Sequence, residues 1–240
     1  MDKSKKIKIF IGLFYFIFVG IFLYFIFSKF SLQEITSYEF IKNNRDLFFN
    51  LKNSNLFLLS VLFILFVIIW VLAGGFGSPI ALLGGFIFGK WLGLFLVVLG
   101  LSTGATCLYF FANFYLKDFI KKKFLNKFSN LEEKFKRSEF LYLTIYRFIG
   151  GIPFAIQNII PCIFNVRPLN YFFACLLGLT PQLFLGTSIG SGIEKIIDQN
   201  IEAPGIIELI TQPDIYIPLI IIFCLLFITI YLRKFFYKKF

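Results

Sequence analysis

Gly74-Gly75-Phe76-Gly77-Ser78-Pro79 and Gly150-Gly151-Ile152-Pro153 interrupt two long apolar stretches of the sequence, at about 56–89 and 140–164. Glycine disfavours a continuing helix through its backbone entropy, and proline removes a hydrogen-bond donor and clashes with the preceding turn. Each stretch is therefore predicted to form a helical hairpin that turns at its break. The hairpin tips consist of Gly74, Gly75, Gly77, Ser78 and Pro79 in the first and of Gly150, Gly151 and Pro153 in the second.

The composition indicates a membrane protein. Of the 240 residues, 58% are hydrophobic and only 15% are charged, whereas a soluble domain has about a quarter charged residues. A fold in water cannot cover so much apolar surface, but a bilayer can accept it. The chain is therefore expected to be an integral membrane protein.

The net charge of +11 does not indicate nucleic-acid binding, because the basic residues lie beside apolar segments rather than on a polar face. Lysines next to membrane segments are explained by the orientation rule and by attraction to anionic lipid. The expected partners are anionic membrane lipids. No nucleic-acid partner is expected, and a homo-oligomer is left open.

The placement of charge favours hairpins that enter and leave the membrane on the same side. Segment 117–137 and the tail after Leu232 are rich in basic residues. In 191–215, by contrast, five of the six charged residues are acidic. Basic loops are cytoplasmic. If every apolar segment crossed the membrane completely, the lysine-rich middle segment would conflict with one terminus. Two re-entrant hairpins remove the conflict and leave complete spans at about 9–27, 91–116, 169–190 and 215–232.

The predicted fold is an all-α integral membrane protein, an inverted repeat of re-entrant helical hairpin plus transmembrane helix with extra N- and C-terminal transmembrane helices. Residues 1–55 are predicted to hold the N-terminal anchor and an extracytoplasmic segment, 56–192 the membrane core, and 193–240 an extracytoplasmic loop, the last helix and a basic tail. Both termini are expected in the cytoplasm and the protein in the plasma (inner) membrane. Inverted repeats with broken helices recur in secondary transporters and enclose a polar cavity.

The segment 117–137 is predicted to be an amphipathic helix on the cytoplasmic leaflet. Its apolar residues recur at helical spacing, and basic residues fill much of the remainder. The lysines expected to face the lipid surface are Lys121, Lys122, Lys123 and Lys127. A solvated loop is the alternative.

Arg147 is the first candidate for a binding residue, because it lies in an apolar stretch six residues before Pro153. A charge at membrane depth is costly and should face a partner or a cavity. Its guanidinium offers paired donors to a phosphate. The alternative is a structural clamp on hairpin carbonyls. Gln157 and Asn158, on the returning arm, are further candidates for substrate binding, and Asn158 or Ser78 could instead cap a half-helix.

Small residues recur at spacing typical of close helix packing. Gly85, Gly89, Gly93 and Gly104 are predicted to pack hairpin against helix, and Pro181 to break or kink the 169–190 span.

An enzyme is not expected. Gly186-Thr187-Ser188-Ile189-Gly190 matches the G-x-S-x-G pattern of hydrolases, but that chemistry needs a base, commonly histidine, and the chain contains none. Neither a metal site nor a cofactor is expected, because the cysteines lack CxxC spacing and the apolar segments lack acidic residues.

The same residues resemble the DedA superfamily, and within it the VTT-domain (SNARE-associated Golgi protein-like) branch. The resemblance covers about 56–192 and rests on Pro79, the run Gly84–Gly89, Gly93, Gly104-Ala105, Arg147, Pro153-Phe154, Asn158, Gly178, Pro181 and Gly190. It implies two opposed re-entrant hairpins. It further implies a role in lipid scrambling, in recycling of polyprenyl-phosphate carriers or in membrane-potential homeostasis, with Arg147 as phosphate contact and with Pro153 and Asn158 shaping the hairpin tip.

These observations predict a membrane transporter or scramblase-like protein that handles a lipid or lipid-linked phosphate. An ion- or proton-coupled exporter of small solutes is one alternative, although it would need acidic residues at the midplane. A non-transporting membrane organiser is the other.

Overall fold

The computed structural model describes residues 38–115, 138–149 and 153–198, with separate positions between 10 and 28 and between 211 and 224. Throughout these described residues the chain is helical or forms short connections, without a strand. The predicted all-α class is therefore confirmed for this part of the chain.

The described helices follow the apolar segments and their breaks. They are, in chain order, α1 (Tyr38–Ser54), α2 (Leu56–Leu72), α3 (Gly77–Phe88), α4 (Lys90–Tyr115), α5 (Glu139–Ile149), α6 (Phe154–Ile159), a 3-10 turn (Ile160–Phe164) and α7 (Pro168–Asp198).

Two of these helices are long and apolar enough to cross a membrane. They are α4, with 26 residues, and residues Pro168–Ile197 of α7, with 30. At about 1.5 Å per residue both exceed the roughly 30 Å of hydrocarbon in a bilayer. By the same measure α3, with 12 residues, and α5, with 11, are each less than about 20 Å long, and neither reaches across.

The chain packs as two units, one of residues Met1–Gly77 with Val98–Gly178 and the other of Ser78–Val97 with Leu179–Phe240. In the first unit α4 approaches α2 at two glycines. A Cβ atom at Gly100 would lie 2.9 Å from Val67, and one at Gly104 would lie 2.9 Å from Val71. Both valines are completely buried. The small residues therefore allow close backbone approach, as expected at membrane helix interfaces.

The second unit uses glycine in the same way. A Cβ at Gly85 of α3 would lie 2.0 Å from the carbonyl oxygen of Thr187, and one at Gly190 of α7 would lie 2.0 Å from that of Leu82. A Cβ at Gly93 would lie 2.4 Å from the Gly84 carbonyl oxygen. Since each neighbour is main chain, a side chain at these positions cannot be accommodated without moving a helix.

The structure differs from the sequence prediction at Gly89, Ser78 and Pro181. Gly89 has φ 78° and open space around its missing Cβ, so it makes the turn between α3 and α4 rather than a packing contact. Ser78 lies inside the first turn of α3 instead of capping it. Pro181 does not break the span, because it lies within a continuous helix that runs on to Asp198, beyond the predicted end near residue 190; a kink at Pro181 stays a prediction. Membrane helices tolerate proline where neighbours satisfy the released backbone group.

A further difference is α1, in a segment for which no helix was predicted. Cation–π contacts within α1 stabilise this helix. Arg45 Cζ and Lys52 Nζ lie 4.6 and 5.0 Å from the ring centroid of Phe49. Three predicted features lie outside the described residues: the segment 117–137 with its lysines, the tip residues Gly150 and Gly151, and the basic tail. The predicted spans 9–27 and 215–232 are described only at separate positions, which are helical.

Candidate functional site

Arg147, at the end of α5, lies next to α6, the helix that follows the break at Pro153. Arg147 lies in the last turn of α5. Pro153, with φ −51° and ψ 133°, lies outside the helical region and precedes the six-residue α6. Arg147, α6 and the first half of α7 all belong to the first unit.

The Arg147 side chain is completely buried and donates to three neutral acceptors. Nη1 donates to Gln157 Oε1 at 3.1 Å, and Nη2 donates to Asn158 Oδ1 at 2.6 Å. Nη2 also donates to the Tyr171 hydroxyl. Arg147 and these three partners, together with Phe154, are called the Arg147 cage below.

Two aromatic rings fix the plane of the guanidinium. Its central carbon lies 5.5 Å from the ring centroid of Phe154 and 5.2 Å from that of Tyr171, within the range of a cation–π interaction. The Cys175 side chain is also completely buried. The guanidinium is therefore held by α6 and α7 in one orientation.

Hydrogen bonds outside the guanidinium brace the cage. Gln157 Nε2 donates to the Tyr146 carbonyl oxygen at 2.9 Å, so both ends of its amide are engaged. The Tyr171 ring stacks on that of Tyr109 at 4.8 Å between centroids, and the Tyr109 hydroxyl donates to Val166 O at 2.6 Å. Tyr171 is thereby held in place by its stack on Tyr109.

Asn158 is less restrained than Gln157. It is completely buried, and its Oδ1 accepts from Arg147 and from the Tyr171 hydroxyl, the latter at 3.3 Å. Its Nδ2 is buried without a hydrogen-bond partner. Buried polar atoms are usually satisfied, so this donor marks a position where an acceptor is missing.

The cage holds a positive charge among neutral groups. The groups to which Arg147 donates include two amides and a phenol, and the sequence from residue 140 to residue 193 contains no Asp or Glu. A guanidinium forms stronger hydrogen bonds with an anion than with an amide or a phenol. The cage can therefore bind an anion in exchange for one of these acceptors. Among the described residues, no group of three or more His, Cys, Asp or Glu side chains is placed to hold a metal ion.

Two residues that the sequence reasoning did not assign to the site belong to it. Tyr171 was overlooked, and Gly178 was noted only through the family resemblance. A Cβ at Gly178 would lie 2.5 Å from Arg147 Cβ and 2.8 Å from Thr144 O. Tyr171, Cys175 and Gly178 recur at helical spacing on α7, and this polar and small stripe was the available signal.

Glu139 joins the two ends of the hairpin region. Its Oε2 accepts from the backbone N–H of Arg167 at 3.2 Å and from Asn170 Nδ2 at 2.8 Å. The start of α5 therefore lies beside the start of α7, and the chain from Glu139 to Arg167 leaves and returns to the same place.

The predicted tip residues of the first hairpin lie in the connection between α2 and α3 and in the first turn of α3. Gly74 has φ 85°, and a Cβ at Gly75 would lie 2.2 Å from Trp70 Nε1, which donates to Phe76 O at 3.0 Å. Gly77 begins α3, with Ser78 and Pro79 in its first turn. Of the predicted substrate-binding residues, the structure brings Arg147, Gln157 and Asn158 together.

The helices and the match to a known domain define the class of this chain. Two of the described helices are long and apolar enough to cross a membrane, and residues 75–192 match the model of the VTT domain. The chain is therefore a member of the VTT-domain family of membrane proteins, the DedA/SNARE-associated Golgi protein family, as the resemblance implied.

Two curated relatives agree with this assignment. The chain is 30% identical to the "Uncharacterized protein YqeD" of Bacillus subtilis (strain 168) over 114 residues, which are 47% of this chain and 55% of the relative. It is 24% identical to the "Transmembrane protein 41 homolog" of Caenorhabditis elegans over 137 residues, 54% of this chain and 56% of the relative. The chain thus spans about half the length of these relatives. No solved structure matches it significantly.

Proposed function

We propose that this protein moves a lipid or a lipid-linked phosphate across a membrane, as a transporter or scramblase-like protein and not as an enzyme. The observation that carries the proposal is the Arg147 cage, in which a completely buried guanidinium donates to two amide oxygens and a phenol hydroxyl. Membership of a family with proposed lipid-related or transport roles supports it.

A phosphate headgroup fits the chemistry of the cage. The guanidinium presents parallel N–H donors, a geometry suited to two oxygens of one phosphate. Exchange of a neutral amide acceptor for a phosphate oxygen would give a stronger hydrogen bond, because both partners are then ionised, and this favours the bound state. We propose Arg147 as the phosphate contact, with Gln157 and Asn158 as its neighbours in the site.

The second hairpin is proposed to be re-entrant. The helix α5 is only about 16 Å long, too short to cross the hydrocarbon. Glu139 and Arg167 are joined at the two ends of the excursion, which is the geometry of a segment that enters and leaves on one side. An inverted repeat, cytoplasmic termini, a plasma (inner) membrane location and anionic lipid partners belong to the same proposal.

Proton coupling is not part of the proposal. A proton carrier at membrane depth is usually an Asp, Glu or His. The sequence contains no histidine, and the stretches 47–117 and 140–193 contain no Asp or Glu. The cage therefore supports binding and passage of an anionic headgroup rather than proton transfer.

The test is lipid translocation in liposomes that contain the purified protein. Fluorescent phosphatidic acid, fluorescent phosphatidylcholine and a polyprenyl phosphate are compared for wild type, Arg147→Ala and Arg167→Ala. The last variant is the matched control, because Arg167 is exposed and its recorded bond to Glu139 uses the backbone.

We expect wild type and Arg167→Ala to move at least one phosphate-bearing lipid, and Arg147→Ala to lose that movement. Equal rates in Arg147→Ala and wild type would remove the cage from the transport mechanism. If folded wild type moved no lipid, the proposed function would be wrong, and an ion-coupled exporter or a membrane organiser would be the better account.

A further inference from the structure

The Arg147 cage contains an acceptor that occupies the position a ligand oxygen needs. We propose that Asn158 is an internal competitor that sets the affinity threshold of the site, so that a strongly anionic group, a terminal phosphate monoester, displaces its amide oxygen from Arg147 at concentrations at which a weaker anion does not. This inference rests on the proposed function, because it assumes that the cage takes a phosphate.

The first step is that a ligand must replace an existing bond. Arg147 is completely buried, and its Nη2 already donates to Asn158 Oδ1 at 2.6 Å. A phosphate oxygen that uses the same N–H edge therefore has to displace one of the present acceptors.

The second step is that Asn158 is the acceptor most easily displaced. Moving Gln157 would also break its bond to Tyr146 O, and moving Tyr171 would disturb its stack on Tyr109. Asn158 Nδ2 has no hydrogen-bond partner. Rotation of the Asn158 side chain therefore releases only the bonds of its oxygen.

The third step concerns which ligands can displace the Asn158 oxygen from Arg147. A hydrogen bond between two ionised groups is stronger than one with a neutral partner. A phosphate monoester carries about two negative charges near neutral pH, whereas a phosphodiester carries one. The Asn158 amide thus raises the threshold for every ligand, and the monoester exceeds that threshold by the larger margin.

The experiment measures binding of two amphiphiles to purified protein in maltoside micelles by titration calorimetry. Decyl phosphate is the monoester, and dodecylphosphocholine is the zwitterionic diester. Inorganic phosphate in a third titration shows whether the free anion suffices or a lipid tail is required. The proteins are wild type, Asn158→Ala, Asn158→Asp and Asn165→Asp.

Asn165→Asp is the matched control, because Asn165 is exposed, lies seven residues further along the same hairpin and has φ 52°, which Asp tolerates. Asn165→Asp should bind both amphiphiles with the affinities of wild type.

In Asn158→Asp the new carboxylate would hold Arg147 permanently, so decyl phosphate should bind at least about tenfold more weakly than to wild type.

Asn158→Ala removes the competitor. We expect wild type to bind decyl phosphate about tenfold or more tightly than dodecylphosphocholine. Asn158→Ala should bind both amphiphiles more tightly and by a similar factor, because neither has to displace the amide. Asn158→Ala decides the question alone if Asn158→Asp does not fold. Unchanged affinity for both amphiphiles in Asn158→Ala, or unchanged decyl phosphate affinity in folded Asn158→Asp, would overturn the inference.

The binding and transport results separate the two claims. If the expected binding pattern appears while wild type moves no lipid, the inference stands for a binding site and the transport function fails. If transport depends on Arg147 while the affinities of the two amphiphiles do not depend on Asn158, the function stands and the inference fails.

Discussion

At the scale of single residues, Arg147 connects the sequence pattern to the chemistry. Its position six residues before Pro153 was sufficient to single it out, because a lone charge in an apolar segment needs a partner. The structure shows that the partners are Gln157, Asn158 and Tyr171. The clamp alternative and the phosphate alternative thus concern the same contacts, since the groups that now hold the guanidinium are those a ligand would meet.

Tyr171 gives the first prediction at this scale. Tyr171→Phe removes an acceptor from Arg147 while it keeps the ring that stacks on Tyr109. We expect stability to fall by about 1–3 kcal/mol, the cost of leaving a buried charged donor with one acceptor fewer. The measurement is the thermal unfolding midpoint in detergent. Tyr24→Phe, at an exposed tyrosine, should leave the midpoint unchanged, and a Tyr171→Phe midpoint equal to that of wild type would show that the hydroxyl is dispensable.

Tyr171 also shows why part of the site could not be predicted. Gln157 and Asn158 lie close to Arg147 in sequence, so the break itself indicated them. Tyr171 lies 24 residues from Arg147, and its role depends on how α7 packs against α5. A single sequence contains no direct information on that contact.

At the scale of helices, the fold depends on places where side chains are absent. Gly178 allows α7 to approach α5 at Arg147, Gly104 allows α4 to approach α2, and Gly85 and Gly190 join α3 and α7 in the second unit. Membrane helices gain their association energy from such close packing rather than from the hydrophobic effect. The glycine spacing predicted close packing at Gly85 and Gly104, whereas Gly89 serves a turn instead. Gly178 and Gly190 were not among the predicted packing residues and were marked through the family resemblance.

Gly178→Ala is expected to damage the site and the fold together. Its methyl group would lie 2.5 Å from Arg147 Cβ and 2.8 Å from Thr144 O, so α5 and α7 must separate. Overpacking of this kind costs about 1–3 kcal/mol. The unfolding midpoint and decyl phosphate affinity should both fall. Gly20→Ala is the control, because nothing lies within 4 Å of a Cβ there, and equal midpoints for the two variants would contradict the packing account.

Glu139 offers a test of how the hairpin ends are joined. Glu139→Ala removes the acceptor for the Arg167 N–H and for Asn170 Nδ2. We expect faster hydrogen exchange at the start of α7, because its first turn loses these bonds. Glu139→Gln keeps an acceptor oxygen and should retain most of the protection. Unchanged exchange in Glu139→Ala would mean that other contacts join the two ends.

At the scale of the whole molecule, the composition predicted a membrane protein, and the glycine- and proline-rich breaks predicted where helices end. The apolar content required a membrane, and α4 and α7 have the length to span one. The end of α7 and the continuity through Pro181 were less predictable, because proline ends a helix in water but is accommodated where neighbouring helices compensate. The helix α1 was missed, because its polar content was interpreted through charge balance rather than helical spacing.

The re-entrant path predicts which side of the membrane each hairpin end faces. Single cysteines at Ser138 and Arg167, in a background where the native cysteines are replaced by alanine, should react with an impermeant maleimide from the same side. Cysteines at Lys90 and Tyr115, the ends of the spanning α4, should react from opposite sides. Labelling of positions 138 and 167 from opposite sides would show that the segment crosses the membrane completely.

The measurement that tests the central claim most directly is translocation of a lipid phosphate by Arg147 variants in liposomes. The account predicts transport by wild type and Arg167→Ala, loss of most transport in Arg147→Ala, and partial retention in Arg147→Lys, which keeps the charge without the paired donors. Transport in folded Arg147→Ala at the wild-type rate would contradict the claim that this buried cation meets the phosphate.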